Sequence, residues 1–243
     1  MKNSLKYILQ KLLGLKTYLY VFALFKIKTL RNDSKENDFF TFLSLLKDGA
    51  GDVLDIGANL GIMTVHLAKA LPNTTIHAFE PVPANISTLK RISAKFNLKK
   101  TQIHEIALGE APGKVKMILP LNGQTVMQGL SHVKHDSITE WNQGQEFEVI
   151  LEKLDNVLNG QKIQGIKIDI ENFEYFALKG ATSILVENRP IIYAELWENE
   201  NRSNCFDLLK QLNYSIYEVE NGKLKPYDVS CSHSQNFIFI ADK

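Results

Sequence analysis

The sequence predicts an α/β domain: a mostly parallel sheet of seven strands closing in an antiparallel hairpin, helices on both faces, and a basic helical extension at the N-terminus. Three observations carry this expectation. From "DVLDIG" onward, short apolar runs alternate with segments of helical periodicity. The last two apolar runs, "SIYEVE" and "NFIFIA", are joined by a short connection that leaves no room for another crossover helix. Finally, Lys2, Lys6, Lys11, Lys16, Lys26, Lys28 and Arg31 open the chain with no acid among them. With 243 residues, 44% of them hydrophobic and 23% charged, there is enough chain for one sizeable core. A net charge of +1 lacks the strongly basic balance usual for nucleic-acid binding, so nucleic acid is not expected as a partner.

Residues 1–38 read as the helical extension and a linker. Leu5, Ile8, Leu9, Leu12 and Leu13 recur at helical spacing among the lysines, an amphipathic pattern. The apolar run from Tyr18 to Phe25 is shorter than the roughly 20 residues of a spanning helix, and no small-residue cleavage site follows it. Two readings stay open: the helix docks on its own domain, or it lies on an anionic membrane surface on the inner side of the cell. "RNDSKEND" then reads as the linker into a domain over residues 39–243.

Within that domain "DVLDIG", "TIHAFEP", "TQIHEIAL", "GIKIDIE" and "IIYAELW" are the parallel strands. "IMTVHLAKAL", "PANISTLKRISAKFNL", "EYFALKGATSILVEN" and "CFDLLKQLN" are the intervening helices. Between Gly109 and Gly165 the rhythm breaks, and "GKVKMILP" with "FEVILEKLD" suggest extra strands in an irregular excursion. Cys205 and Cys231 form neither a CxxC pair nor a disulfide framework, so no structural zinc is expected and a reducing cytoplasm is the simplest setting.

The chemistry is expected at "VLDIGANLG". In an open parallel sheet, ligands bind beyond the carboxyl ends of the strands, and the first strand-to-helix turn is the prime position. Gly57 and Gly61 allow close backbone approach there, with Asn59 between them. The spacing GxxxG differs from the GxGxxG that cradles a diphosphate, and Asp55 would repel phosphate and attract a cation. Glu80 ends the second strand in "AFEP", where a carboxylate accepts hydrogen bonds from ribose hydroxyls. An ammonium at Asp55 and a ribose at Glu80 describe S-adenosylmethionine.

The chain of motifs "VLDIGANLG", "AFEPVPAN", "EIALGEAPG", "LDNV", "IKIDIENFEYFALKGA", "RPIIYAELW" and "NFIFI" resembles the FkbM-type S-adenosylmethionine-dependent methyltransferases over roughly residues 50–240. The resemblance implies a class I methyltransferase (Rossmann-like) fold. It also implies that Asp55, Gly57, Asn59 and Gly61 hold the methionine part, Glu80 the ribose, and Ala107 and Leu108 the adenine. Where the family usually reads KIDxEG, this chain has Asn172 in place of the glycine; Asn tolerates left-handed torsions, so the turn is expected to survive.

Methyl transfer from a sulfonium is an in-line displacement that depends on positioning, and a hydroxyl acceptor benefits from a nearby base. Asp169 is expected near the cofactor's amino group or the acceptor, Glu171 as the leading base or orienting carboxylate, and Glu195 as a second base candidate. Glu174 reads as a first-turn helix acid. His132, His135 and Asp136 lie in the excursion as pocket-lining or metal-binding candidates, though no metal site is expected. His66 and His77 read as packing residues, and Trp141 and Trp197 as core aromatics or stacking platforms. The resemblance favours O-methylation of a hydroxyl on a sugar, glycolipid, polysaccharide or secondary metabolite. Two other classes stand against it. A nucleotide-cofactor oxidoreductase or epimerase would show GxGxxG, and a non-catalytic S-adenosylmethionine-binding module would lack a competent acceptor pocket.

Overall fold

Five parallel strands lie side by side in the main sheet: β1 (Asp52–Ile56), β2 (Ile76–Phe79), β3 (Thr101–His104), and, later in the chain, Ile163–Ile168 and Ile191–Glu195. In the computed structural model, which describes residues 2–123, 125–135, 138, 142–230 and 234–242, they belong to an eight-stranded sheet. Between β3 and the fourth central strand come the short β4 (Ala107–Leu108), β5 (Gly113–Asn122), β6 (Thr125–Val126), β7 (His132–Val133) and β8 (Gly144–Glu152). The central strands resume as β9 (Ile163–Ile168) and β10 (Ile191–Glu195), and the chain closes with β11 (Tyr214–Glu220), β12 (Lys223–Pro226) and β13 (Asn236–Ala241). The main sheet runs β12-β11-β13-β10-β9-β1-β2-β3, the last five parallel and the first three antiparallel.

All seven expected strands are in this sheet, and the eighth corrects the count. The chain between β11 and β13 makes its own hairpin, β12, around Asn221 and Gly222, both at positive φ. That dipeptide is a strong two-residue hairpin signal, and it converts the expected short connection into an additional edge strand. The expected third strand also stops early. It ends at His104, and Ala107 and Leu108 leave the main sheet to pair in parallel with Leu151 and Glu152 of β8.

The excursion is a second, five-stranded sheet rather than an irregular loop. β5 and β8 pair antiparallel over an unbroken register from Gly113↔Leu151 to Pro120↔Gly144, with β6 and β7 also on β5.

Side chains alternate across the main sheet as strand geometry requires. Leu54, Ile166, Ala194 and Phe237 face the helices α7 (Glu174–Lys179), α8 (Thr182–Asn188) and α9 (Glu200–Gln211); Val53, Ile76, Tyr193 and Ile238 face the other side. There they meet α3 (Asn37–Leu45) and α4 (Ile62–Ala70), beside α5 (Pro83–Phe96); α6 (Leu154–Val157) is a single turn after β8.

The N-terminal extension is two helices, α1 (Lys2–Leu13) and α2 (Leu15–Thr29), broken at Gly14, whose φ is 71°. α2 docks: Leu19 and Ala23 are fully buried against Leu60, Val65 and Ile92. "RNDSKEND" is no free linker either. It folds as two 3₁₀ turns fastened by Lys26 to Asp33 at 3.0 Å, which leads directly into α3. Among the described residues, no helix is long and apolar enough to cross a membrane.

Candidate active site

The turn after β1 is held rigidly to the end of β2. The backbone N–H groups of Gly57 and Ala58 both donate to the Phe79 carbonyl, at 3.0 and 2.9 Å, and Asn59 N–H donates to Glu80 Oε2 at 2.8 Å. Gly57 has φ 76°, and a Cβ there would collide with the Asp169 carbonyl oxygen, so no other residue fits this crossing of two strand ends. Gly61 precedes α4 with its α face pressed on Leu89, outside the lining of the cleft above the turn.

Asp55 lies beneath this turn rather than in it. Its carboxylate is fully buried, accepts from Thr64 Oγ1 at 2.6 Å, and faces Lys167 Nζ at 3.3 Å. Lys167 in turn donates to the Gly57 and Ile56 carbonyls at 2.9 and 3.3 Å. Burial opposes the charge on Lys167, but Asp55 and Asp169 together hold its pKa above the ordinary value. The cation that Asp55 attracts is therefore internal, and the pair braces the glycine turn from below. Lys167 and Thr64 carry a feature not expected from the sequence; a lone lysine inside the otherwise apolar "GIKI" run was the available signal.

Above the turn, beyond the carboxyl ends of β1 and β2, opens a cleft. Gly57, Asn59, Glu80, Ala107, Leu108, Asp169 and Glu171 all line it, so seven of the ten expected site residues converge there. Glu80, 4% exposed, accepts from Val82 N–H at 2.8 Å and from Asn85 Nδ2 at 3.3 Å, and burial raises its pKa to about 7. Met117 and Val133 from the second sheet, with Gly129 and Ser131 from the turn between β6 and β7, close the far wall. None was expected, because only tertiary folding brings the excursion over the strand ends.

The acids beyond β9 form the other rim. Glu171 and Asn172 have φ of 54° and 76°, a left-handed pair that is costly for residues other than glycine. The turn survives without the glycine because its polar groups are tied down. Glu174, buried at the start of α7, accepts from Ile170 N–H at 2.8 Å and Asn172 N–H at 3.3 Å. Asn199 Nδ2 donates to Asn172 Oδ1, and Asn201 Nδ2 to the Asn172 carbonyl, both at 2.7 Å. This presents Glu171 to the cleft. Burial, then the charges of Asp169, Glu195 and Glu174, push its pKa up to about 9. Glu195, ending β10, lines neither cavity but feels Asp169, and burial with that charge raises it to about 7.

A second cavity adjoins the first at Gly57, Asn59, Gly129 and Asp169. Its outer wall comes from the N-terminal extension, through Lys6, Phe22, Lys26 and Glu36.

The histidines behave differently. His132 is buried within the second sheet, 2.9 Å from the Leu130 carbonyl and 3.0 Å from Asn142 Oδ1, and His135 packs on Phe176. Asp136, Trp141 and Cys231 lie outside the described residues. His77 is fully buried, as a packing residue should be, between Asp52 and His104 at 3.1 Å each; His66 packs edge-on against Phe40. Trp197 lines neither cavity.

Residues 55–221 match the Methyltransferase FkbM domain, which is more than half of the chain and includes both rims of the cleft. The chain belongs to the FkbM methyltransferase family. Methyltransferase 1 of Beauveria bassiana is 25% identical over 142 residues, 53% of this chain and 57% of that protein. A shorter match, 29% over 68 residues, joins 28% of this chain to 32% of Ribosomal RNA small subunit methyltransferase G of Beutenbergia cavernae. The chain thus spans about half or less of the curated relatives it matches here. In fold it is similar to the crystal structure of Methyltransferase FkbM from Methylobacillus flagellatus, with a TM-score of 0.54 at 16% identity over 81% of this chain and 45% of that one.

The cofactor of this FkbM family is S-adenosylmethionine, and the cleft fits it. Asn59 Oδ1 and Asn85 Oδ1 are buried acceptors with no donor from the protein, and both residues line the cleft. Such orphans are costly until a ligand's hydroxyl or amino group reaches them. The family membership also displaces the oxidoreductase reading, in keeping with GANLG in place of GxGxxG.

Proposed function

We propose that this FkbM-family chain transfers a methyl group from S-adenosylmethionine to a hydroxyl of a sugar, glycolipid, polysaccharide or secondary metabolite. The observation that carries the reading is the carboxylate group at the shared edge of the two cavities. Glu171 faces the cleft, Asp169 lines both cavities, and Glu195 lies within electrostatic reach of them. When bound, S-adenosylmethionine supplies a methyl group already activated by its sulfonium, so the protein's task is chiefly to align an oxygen with it. Glu80 and the two orphaned asparagine oxygens hold the nucleoside, Ala107 and Leu108 give its ring an apolar floor, and Asp169 takes the ammonium. Glu171 accepts the acceptor's proton, with Glu195 as the second base candidate. The second cavity is the natural place for the acceptor, since it meets the cleft at Asp169.

A raised pKa suits a base that must hold a proton after the reaction and lose it before the next turn. For the free enzyme this fixes a direction: kcat/KM rises with pH across the interval bounded by about 7 for Glu195 and about 9 for Glu171, as the coupled pair loses its proton.

The test begins with calorimetric titration by S-adenosylhomocysteine and, separately, NAD, on the wild type and Glu80→Gln. The expected result is binding of the homocysteine ligand alone, weakened by the substitution; binding of NAD, or of neither ligand, overturns the reading. Labelled methyl donor is then offered with sugars, lipid-linked glycans, small hydroxylated metabolites and ribosomal RNA. RNA stays in this screen because of the short match to a ribosomal RNA methyltransferase. On the acceptor that is methylated, Glu171→Gln is expected to lower kcat by roughly 10²–10⁴-fold and to flatten the rise with pH. Binding without turnover on any acceptor would favour the non-catalytic module instead.

A further inference from the structure

The amphipathic helix α1 is mounted the wrong way round for a helix that serves only to cover its own domain. Lys6 and Gln10, one turn apart, form the inward face. Gln10 is 9% exposed and is bonded twice to the backbone of Val126, donating to its carbonyl at 3.1 Å and accepting from its N–H at 3.2 Å. Lys6 reaches the Met127 sulfur at 3.6 Å. The polar face therefore packs on the protein. The apolar stripe points outward: Ile8 is 50% exposed, Leu12 76%, and Leu9 and Leu13 also lie open. Positions i, i+1, i+4 and i+5 share one face of a helix, so the four make a continuous band. Val21 and Phe25, one turn apart on α2, are exposed too.

Most large apolar side chains exposed among the described residues are thus gathered in the first two helices. Such a concentration marks an interaction surface. Its charge chooses the partner. Lys11 is exposed on α1 beside the stripe, Lys16 and Lys28 are exposed on α2 with Val21 and Phe25, and no acid occurs before Asp33. Two copies of this face would set lysines against lysines, whereas an anionic lipid surface answers both the apolar band and the positive border.

We propose that α1, with the outer face of α2, is a peripheral docking surface for an anionic bilayer, the stripe Ile8–Leu9–Leu12–Leu13 entering the headgroup region and Lys11, Lys16 and Lys28 pairing with lipid charge. This does not depend on the methyl-transfer reading. One consequence does rest on it: Lys6, on the inward face of the same helix, lines the second cavity, so an acceptor held at the bilayer is brought close to the proposed acceptor compartment.

The experiment is flotation of the full chain with vesicles of phosphatidylcholine alone or mixed with phosphatidylglycerol. The wild type is expected to float with the anionic vesicles, to be released by salt, and to bind the neutral ones at least about tenfold more weakly. Ile8→Asp with Leu12→Asp, and separately Lys11→Glu with Lys16→Glu, are expected to lose at least about tenfold of that binding. All these positions are exposed, so unchanged circular dichroism and S-adenosylhomocysteine affinity will show the variants intact. The proposal is overturned if the wild type stays in the soluble fraction with both vesicles, or if Ile8→Asp/Leu12→Asp floats like the wild type. A sedimenting dimer that dissociates on the stripe substitution, without vesicle binding, would overturn it in favour of self-association. Loss of homocysteine-ligand binding in the wild type would sink the methyl-transfer reading and leave this one standing.

Discussion

At the scale of single residues, Asp55 shows how a carboxylate beneath a glycine turn can serve as an internal brace. Its partners are Thr64 and Lys167, all three buried, and the lysine carries the brace on to the Gly57 carbonyl. Removing one member of a buried ion pair leaves the other charge uncompensated. Asp55→Ala is accordingly expected to cost about 3–5 kcal/mol of stability, read from denaturant unfolding, besides any loss of cofactor affinity. An unfolding midpoint equal to the wild type's would mean that Lys167 finds another partner. The turn at Glu171 and Asn172 works by the same logic of local bracing, since Glu174 and two asparagines secure a left-handed pair that contains no glycine. Asp55, Glu80, Asp169 and Glu171 were legible as strand-end acids from the sequence. Their division into a brace below the turn and cleft-lining groups above it was not, because "VLDIG" does not say which way a carboxylate points once Lys167 is packed against it.

At the scale of elements, the extension that the lysines mark is two helices with opposite duties. α2 is core: Leu19 is fully buried beside Leu60 and Ile92. α1 is surface, with Leu12 76% exposed. Leu19→Ala is expected to destabilise the protein by about 2–5 kcal/mol through the cavity it leaves, and Leu12→Ala to change stability by less than about 0.5 kcal/mol. Paired thermal melts check this, and comparable losses at both positions would show that α1 packs as α2 does. The docking reading of the sequence holds for α2, and the proposed bilayer contact concerns α1. Periodicity finds an apolar stripe but not the surface to which it turns; Gly14 resets the helix axis, and the contacts of Gln10 decide the rotation. The excursion between Gly109 and Gly165 repeats the lesson. Its long strands were visible, yet the fact that β4, β5 and β8 form a separate sheet over the cleft depends on pairings distant in sequence.

For the molecule as a whole, an accumulation of buried acids sets the pH response. Glu80, Glu171, Glu174 and Glu195 have pKa values of about 7, 9, 8 and 7, each above the 4.5 of a free glutamate. A carboxyl with a raised folded pKa contributes its stability fully below the unfolded value and loses it as pH rises through the folded one. The ligand-free protein is therefore expected to be more stable near pH 6 than near pH 9, with Glu171→Gln reducing the slope; a melting temperature that climbs over that interval would contradict it. Such a concentration of strained ionisation is characteristic of functional sites.

By itself the sequence determined the alternation of strands and helices, the glycine turn, the strand-end acids and the family, because each is written in local pattern and spacing. Tertiary structure alone decided the eighth strand's place at the sheet edge, the second sheet as a wall of the cleft, the internal pairing of Asp55 with Lys167 and the outward face of α1. All four depend on which distant surfaces meet, and burial and charge pairing act between neighbours in space that the order of residues does not name.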